Sequence, residues 1–189
     1  VLMIPEVEPS ALLEAGTRRL SVNDIKSRRS ILWHGGLYTL RELRAQLRFF
    51  ETLHHRIRFD KVIVVCGDGL APCDLKTHPL FEFRAWSRDA LIKAANECRL
   101  AILPARLSLK LSYLKPASRL RCMFALGCVA LGDARVPEVV RLSERLRMPI
   151  IPFSRPVEAA DRVAKLWKDH PEICRIQRDG YQYVTSEHG

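Results

Sequence analysis

The residues with most to offer chemically are a pair of glycines and a scatter of cations. Gly35-Gly36 follow Ser30-Ile31-Leu32-Trp33-His34, which reads as a short strand. A Gly-Gly turn there lets backbone amides approach a pyrophosphate closely. The plainer alternative is a tight turn and nothing more. Lys115 and Arg119 stand at and just inside the start of an expected helix. A cation there adds to the partial positive charge of the helix N-terminus, so an anionic partner is expected. Lys110 belongs to the same basic stretch. His34, at the strand end, is a candidate ligand or base, or else a partly buried polar cap. Glu138, in a first helical turn, is placed either to reach a ligand or simply to answer the helix dipole. Asp68 and Asp133 also follow strands, where ligand-site residues occur; an Asp there more often satisfies its own turn backbone. No metal site is expected. The six cysteines form no CxxC pair, and His54-His55 adjoin on one helix and face different ways.

Short β-branched runs alternate with longer helical segments, the pattern of a parallel sheet covered by helices. Lys61-Val62-Ile63-Val64-Val65-Cys66 is the clearest strand, apolar enough to be buried on both faces. Phe81-Glu82-Phe83, Leu100-Ala101-Ile102-Leu103-Pro104, Cys128-Val129-Ala130-Leu131 and Pro149-Ile150-Ile151-Pro152 supply further strands. One helix is expected over 40–55, with Thr39 or a neighbour as its cap and Leu40, Leu43, Leu47 and Phe50 on one face. Ser87 is a good N-cap for a helix to about Asn96. A helix from Ala117 to Leu126 is closed by Gly127. Pro137 and Pro156 open two more helices, the latter amphipathic through Val157, Ala160, Val163, Leu166 and Trp167. The expected fold class is therefore a doubly wound, Rossmann-like α/β sheet of about six parallel strands. Residues 1–28 read as a linker, 29–170 as the domain, and 171–189 as a polar tail, loose or partly helical.

The chain has 189 residues, 48% of them hydrophobic, enough for one domain with a sizeable core. It opens on Val1 rather than Met, so a cropped or processed end is expected. No apolar run approaches the roughly 20 residues of a membrane-spanning helix. Cysteines set inside apolar runs behave as small hydrophobes, and the expected setting is a reduced cytoplasm. The net charge of +10 favours anionic partners, among them phosphates and nucleic acid. The basic residues are spread along the chain, with no dense run or zinc-finger pattern, so nucleic acid rests on charge alone.

Taken in order, several pieces resemble a known family. They are the strand and glycine loop of Ile31–Gly36, the Val62–Val65 strand and the Trp86-Ser87 helix start. Ala101-Ile102-Leu103-Pro104 and Lys115-Pro116-Ala117-Ser118-Arg119-Leu120, leading to Ala125-Leu126-Gly127, complete the series. Together they resemble the C-terminal, donor-binding domain of GT-B glycosyltransferases, over roughly residues 1 to 168. The opening Val1–Glu6 is similar to the linker that leads into that half. The resemblance implies a nucleotide-sugar donor at the strand ends. Gly35, Gly36, Lys115, Ser118 and Arg119 would hold its diphosphate, with His34, Lys110 and Glu138 nearby. It implies no other cofactor, since Lys and Arg neutralise the leaving group. It also implies a separate or missing N-terminal acceptor-binding domain, without which the isolated chain is inactive. Three positions depart from the family: Cys122 stands where a ribose-binding Glu is usual, Ser118 stands for Asn, and Cys128-Val129 lacks the usual Pro. These departures favour the alternative of a non-catalytic α/β domain that binds a nucleotide or a partner protein.

Overall fold

The computed structural model describes residues 9–21, 25–36, 39–67, 73–105 and 118–187. Five strands form one all-parallel sheet: β1 (Ser30–Gly35), β2 (Val62–Cys66), β3 (Phe81–Ala85), β4 (Cys98–Leu103) and β5 (Val129–Gly132). Their order across the sheet is β3-β2-β1-β4-β5. β1 is central, pairing Ile31 with Val62 on one side and Leu32 with Ala101 on the other. All five residues of β2 are buried, as its unbroken apolar run requires. The chain runs outward from β1 to β3, then crosses back to β4 beyond β1. With right-handed crossovers this reversal places the connecting helices on opposite faces, the doubly wound arrangement.

The sixth strand expected at Pro149–Pro152 is reduced to one bridge between Asp133 and Ile151. Pro149 and Pro152 lack the N–H groups that a ladder needs, so pairing cannot spread from Ile151. The helix expected over 40–55 is two: α2 (Leu40–Arg44) and α3 (Leu47–Ile57), separated by a turn at Ala45-Gln46. Its expected apolar face survives the break, because Leu40, Leu43 and Phe50 are all buried.

The remaining helices are α4 (Cys73–Lys76), α5 (Arg88–Glu97), α6 (Ser118–Ala125), α7 (Pro137–Arg145) and α8 (Pro156–Lys168), flanked by α1 (Pro9–Ser21) and α9 (His170–Glu187). Their ends follow local chemistry. Ser87 caps α5, accepting from the Ala90 N–H at 3.0 Å. Gly127, with φ +62, ends α6 in the left-handed conformation that glycine adopts without steric cost. α3 packs along α8, while α6 packs between α1 and α9. Val157 departs from the expected apolar face of α8 and is 45% exposed.

The two chain ends both carry helices that belong to the core. On α9, Ile173, Ile176, Tyr183 and Val184 are buried at helical spacing, so the stretch read as a polar tail is an amphipathic helix. On α1, Leu12 is buried, and Arg19 is buried although charged. Arg19 Nε donates to the Gly127 carbonyl at 2.9 Å and Nη2 to the Cys98 carbonyl at 2.7 Å, while Nη1 donates to the Ala95 carbonyl. One guanidinium thus satisfies carbonyls at the ends of both α5 and α6. The Thr17 and Tyr181 hydroxyls lie 2.7 Å apart, and Tyr181 also donates to the Leu13 carbonyl, tying α1 to α9. Among the described residues no helix is long and apolar enough to cross a membrane.

Candidate functional site

The reversal of strand order lies between β1 and β4, and in sheets of this kind a crevice opens there beyond the carboxyl ends of the strands. β1 delivers His34 and Gly35 to that end. Gly36 then begins a turn closed by Thr39, whose N–H donates to the Gly36 carbonyl at 2.9 Å and whose hydroxyl donates to the same oxygen at 2.6 Å. Thr39 stands at the N-cap of α2, but its hydroxyl is committed to the turn and makes no capping bond.

Arg119 reaches the same place from the first turn of α6. Its Nη1 donates to the His34 carbonyl at 3.3 Å, and its Nη2 pairs with Glu42 of α2 at 3.2 Å. Gly35 permits this approach. A Cβ on it would lie 2.5 Å from Thr39 Oγ1 and 3.1 Å from Arg119 Nη1. The anionic partner expected for Arg119 is therefore present within the chain. Glu42 is buried, whereas the Arg119 side chain keeps 23% of its surface.

His34, read as a ligand, a base or a partly buried polar cap, is almost wholly buried. Burial first, then the neighbouring Arg119 charge, push its imidazole down to about 3. A group that weak as a base takes up no proton at neutral pH, so it is unsuited to general-base work. Its Nε2 is buried and has no hydrogen-bond partner among the described residues. In the neutral ring that atom can give or receive one hydrogen bond.

The structure thus brings His34, Gly35 and Arg119 together, and adds Thr39, which the sequence offered only as a helix cap, and Glu42, which it did not single out. A signal for Glu42 existed, because Thr39-x-x-Glu42 has the spacing of a capping box. Gly36 follows in the turn, and a Cβ on it would meet nothing within 4 Å. Ser118 is exposed at the start of α6. Lys110 and Lys115, like Asp68, lie outside the described residues. Glu138 is not joined to Arg119. It pairs with Arg121 at 3.5 Å, two residues further along α6 and so on a different side of the helix. Asp133 serves its own turn, accepting from the Arg135 N–H at 3.0 Å and from the Arg135 guanidinium at 2.9 Å. Burial pushes the Cys122 thiol up to about 12, leaving it uncharged and unlike the carboxylate usual in the resembled family.

Arg119 is placed to meet an anion, and His34 to make one directional hydrogen bond. Among the described residues neither stands beside a nucleophile activated by a base. Among the described residues no three His, Cys, Asp or Glu side chains gather as a metal-binding set. Compared with known proteins, the chain matches no family model and no curated relative.

Proposed function

We propose that the chain is the donor half of a GT-B type glycosyltransferase. In this reading it binds a nucleoside diphosphate-sugar at the carboxyl ends of its strands, and an N-terminal acceptor-binding domain completes the enzyme. One observation carries the reading: Arg119, from the first turn of α6, meets the glycine end of β1 at the point where strand order reverses. Charge there acts on the leaving diphosphate, the electrostatic form of catalysis. Lys110, Lys115 and Ser118 complete the proposed cradle with Gly35 and Gly36. The Glu42 carboxylate must share Arg119 with the ligand or yield it.

That same pair favours a second reading. Arg119 already has a carboxylate and a carbonyl, so it can serve as a tie between α2, β1 and α6 in a domain with no donor. Titration calorimetry with UDP, GDP and their sugars separates the two. On the first reading a ligand at 100 times its Kd adds about 2.7 kcal/mol to stability. Arg119→Ala then weakens binding on the order of tenfold or more, since a charge-assisted bond contributes about 1.5–3 kcal/mol. Arg178→Ala, an exposed control on α9, leaves binding unchanged. Equal losses in the two variants, or no binding to any nucleoside diphosphate, reject the donor site. The isolated chain is expected to transfer no sugar, and turnover onto an acceptor by the purified chain contradicts the need for a second domain.

A further inference from the structure

At the opposite end of the sheet an arginine is buried with no carboxylate paired to it among the described residues; the Cys174 thiol is the one acidic group that acts on its charge. Arg99, on β4, is 5% exposed. Ser30 pairs with Cys98 and Ile31 with Leu100, so Arg99 is the extra residue where the register shifts. Such irregularities re-aim a side chain and recur beside binding sites. The guanidinium lies over the Trp167 ring, 4.9 Å from its centre. Its Nη2 meets Nδ1 of His170, the first residue of α9. Nε, on the same edge of the guanidinium as Nη2, is buried with no acceptor among the described residues.

Three other buried or half-buried arginines have carbonyl or carboxylate acceptors within the chain. Arg19 has three carbonyls, Arg119 has Glu42, and Arg84 has Glu82 and Glu97. Arg99 instead faces a neutral imidazole, and a buried charged donor left short of an acceptor is costly. Lys26 is exposed alongside, close enough for its charge to act on His170. The Asp169 carboxylate, next to His170 in sequence, accepts the Glu172 N–H at 3.1 Å and so caps α9.

We propose that Arg99, His170 and Lys26 form an anion site for a phosphate- or sulfate-class dianion, independent of the proposed donor site. Two oxygens of the dianion take the Nε–Nη2 edge in the bidentate geometry that suits guanidinium. His170 turns aside from that edge, and Lys26 closes over the anion from the solvent side. Without the anion, desolvation first and then the Arg99 and Lys26 charges hold His170 below its ordinary range, while Asp169 acts weakly the other way. A bound dianion reverses the balance, so His170 gains a proton and the site a third positive group. Binding therefore tightens as pH falls.

The test titrates sulfate, whose charge is constant over the range used, at fixed ionic strength with chloride as the reference. Trp167 fluorescence and calorimetry report binding. Wild type is expected to bind saturably and severalfold tighter at pH 5.5 than at pH 7.5. Arg99→Met weakens binding at least tenfold, Lys26→Met severalfold, and the exposed control Arg178→Ala not at all. His170→Gln still binds but loses the tightening at low pH, which decides the matter if Arg99→Met does not fold. The proposal is overturned by the absence of saturable binding, by undiminished binding in Arg99→Met, or by full tightening in His170→Gln. Inorganic phosphate and phosphatidic acid in phosphatidylcholine vesicles are then set to compete with sulfate. Displacement by either supports a phosphate site and tells free ion from headgroup; displacement by neither overturns the phosphate assignment.

Discussion

His34 makes the clearest demand on solvent conditions of any single residue. Its imidazole is held neutral to about pH 3, whereas in the unfolded chain it titrates at the ordinary value of 6.5. Above pH 6.5 both states carry it neutral, and its contribution to stability is fully present. As pH falls below 6.5 the unfolded chain binds the proton and the native protein does not. Stability is then lost at up to about 1.4 kcal/mol per pH unit, until the native value near 3 is passed. By pH 4.5 the loss amounts to roughly 2–3 kcal/mol. Urea midpoints for wild type and His34→Asn at pH 7 and pH 4.5 measure it. The gap between the two proteins should narrow at the lower pH, and a constant gap would show that His34 is not held neutral. His34, Gly35 and Arg119 were legible because strand ends and helix starts are local signals. For Glu42 only the capping-box spacing was legible and not its partner, since nothing in a single turn of helix says which cation will fold onto it from 77 residues away.

At the scale of elements, the ends of the helices carry consequences that can be measured. Ser87→Ala removes the one bond that caps α5 and should cost about 1 kcal/mol. Arg19→Met should cost far more, roughly 3–5 kcal/mol, because three buried carbonyls lose a charged donor together. Chemical denaturation of the two variants checks both values, and similar small losses would mean that water replaces Arg19 freely. The same contrast explains what the sequence disclosed. β2 and the α5 cap rest on adjacent residues and were readable directly. The break between α2 and α3 was not, since Ala45 and Gln46 are acceptable helix formers and only the tertiary fit interrupts them. α9 was obscured by its many polar residues, although Ile173, Ile176, Tyr183 and Val184 mark one face.

For the whole molecule, α9 is part of the core rather than an appendage. Deleting residues 170–187 removes those four side chains from their seats against α6 and its neighbours. Burying each contributes about 1.5–3 kcal/mol, so the loss rivals the entire stability of an ordinary domain. The truncated protein is expected to lose its cooperative unfolding transition in circular dichroism; a truncated form that still melts cooperatively would restore the view of this segment as a tail. The joining of α1 to α9 also fixes an order of events. Thr17 bonds a tyrosine 164 residues away, and Arg19 waits for carbonyls 76 to 108 residues downstream. During synthesis at roughly 5–20 residues per second, Tyr181 follows Thr17 by about 8–30 s. Of the helices described, the one synthesised earliest is fastened last. Its contacts with α9 close loops of 164 and 168 residues, and loops of that span are poor candidates for an early nucleus. Thr17→Val should accordingly raise the unfolding rate while leaving refolding within about twofold in a stopped-flow experiment. The strength of this one seam then sets how long the folded protein lasts, rather than how quickly it is made.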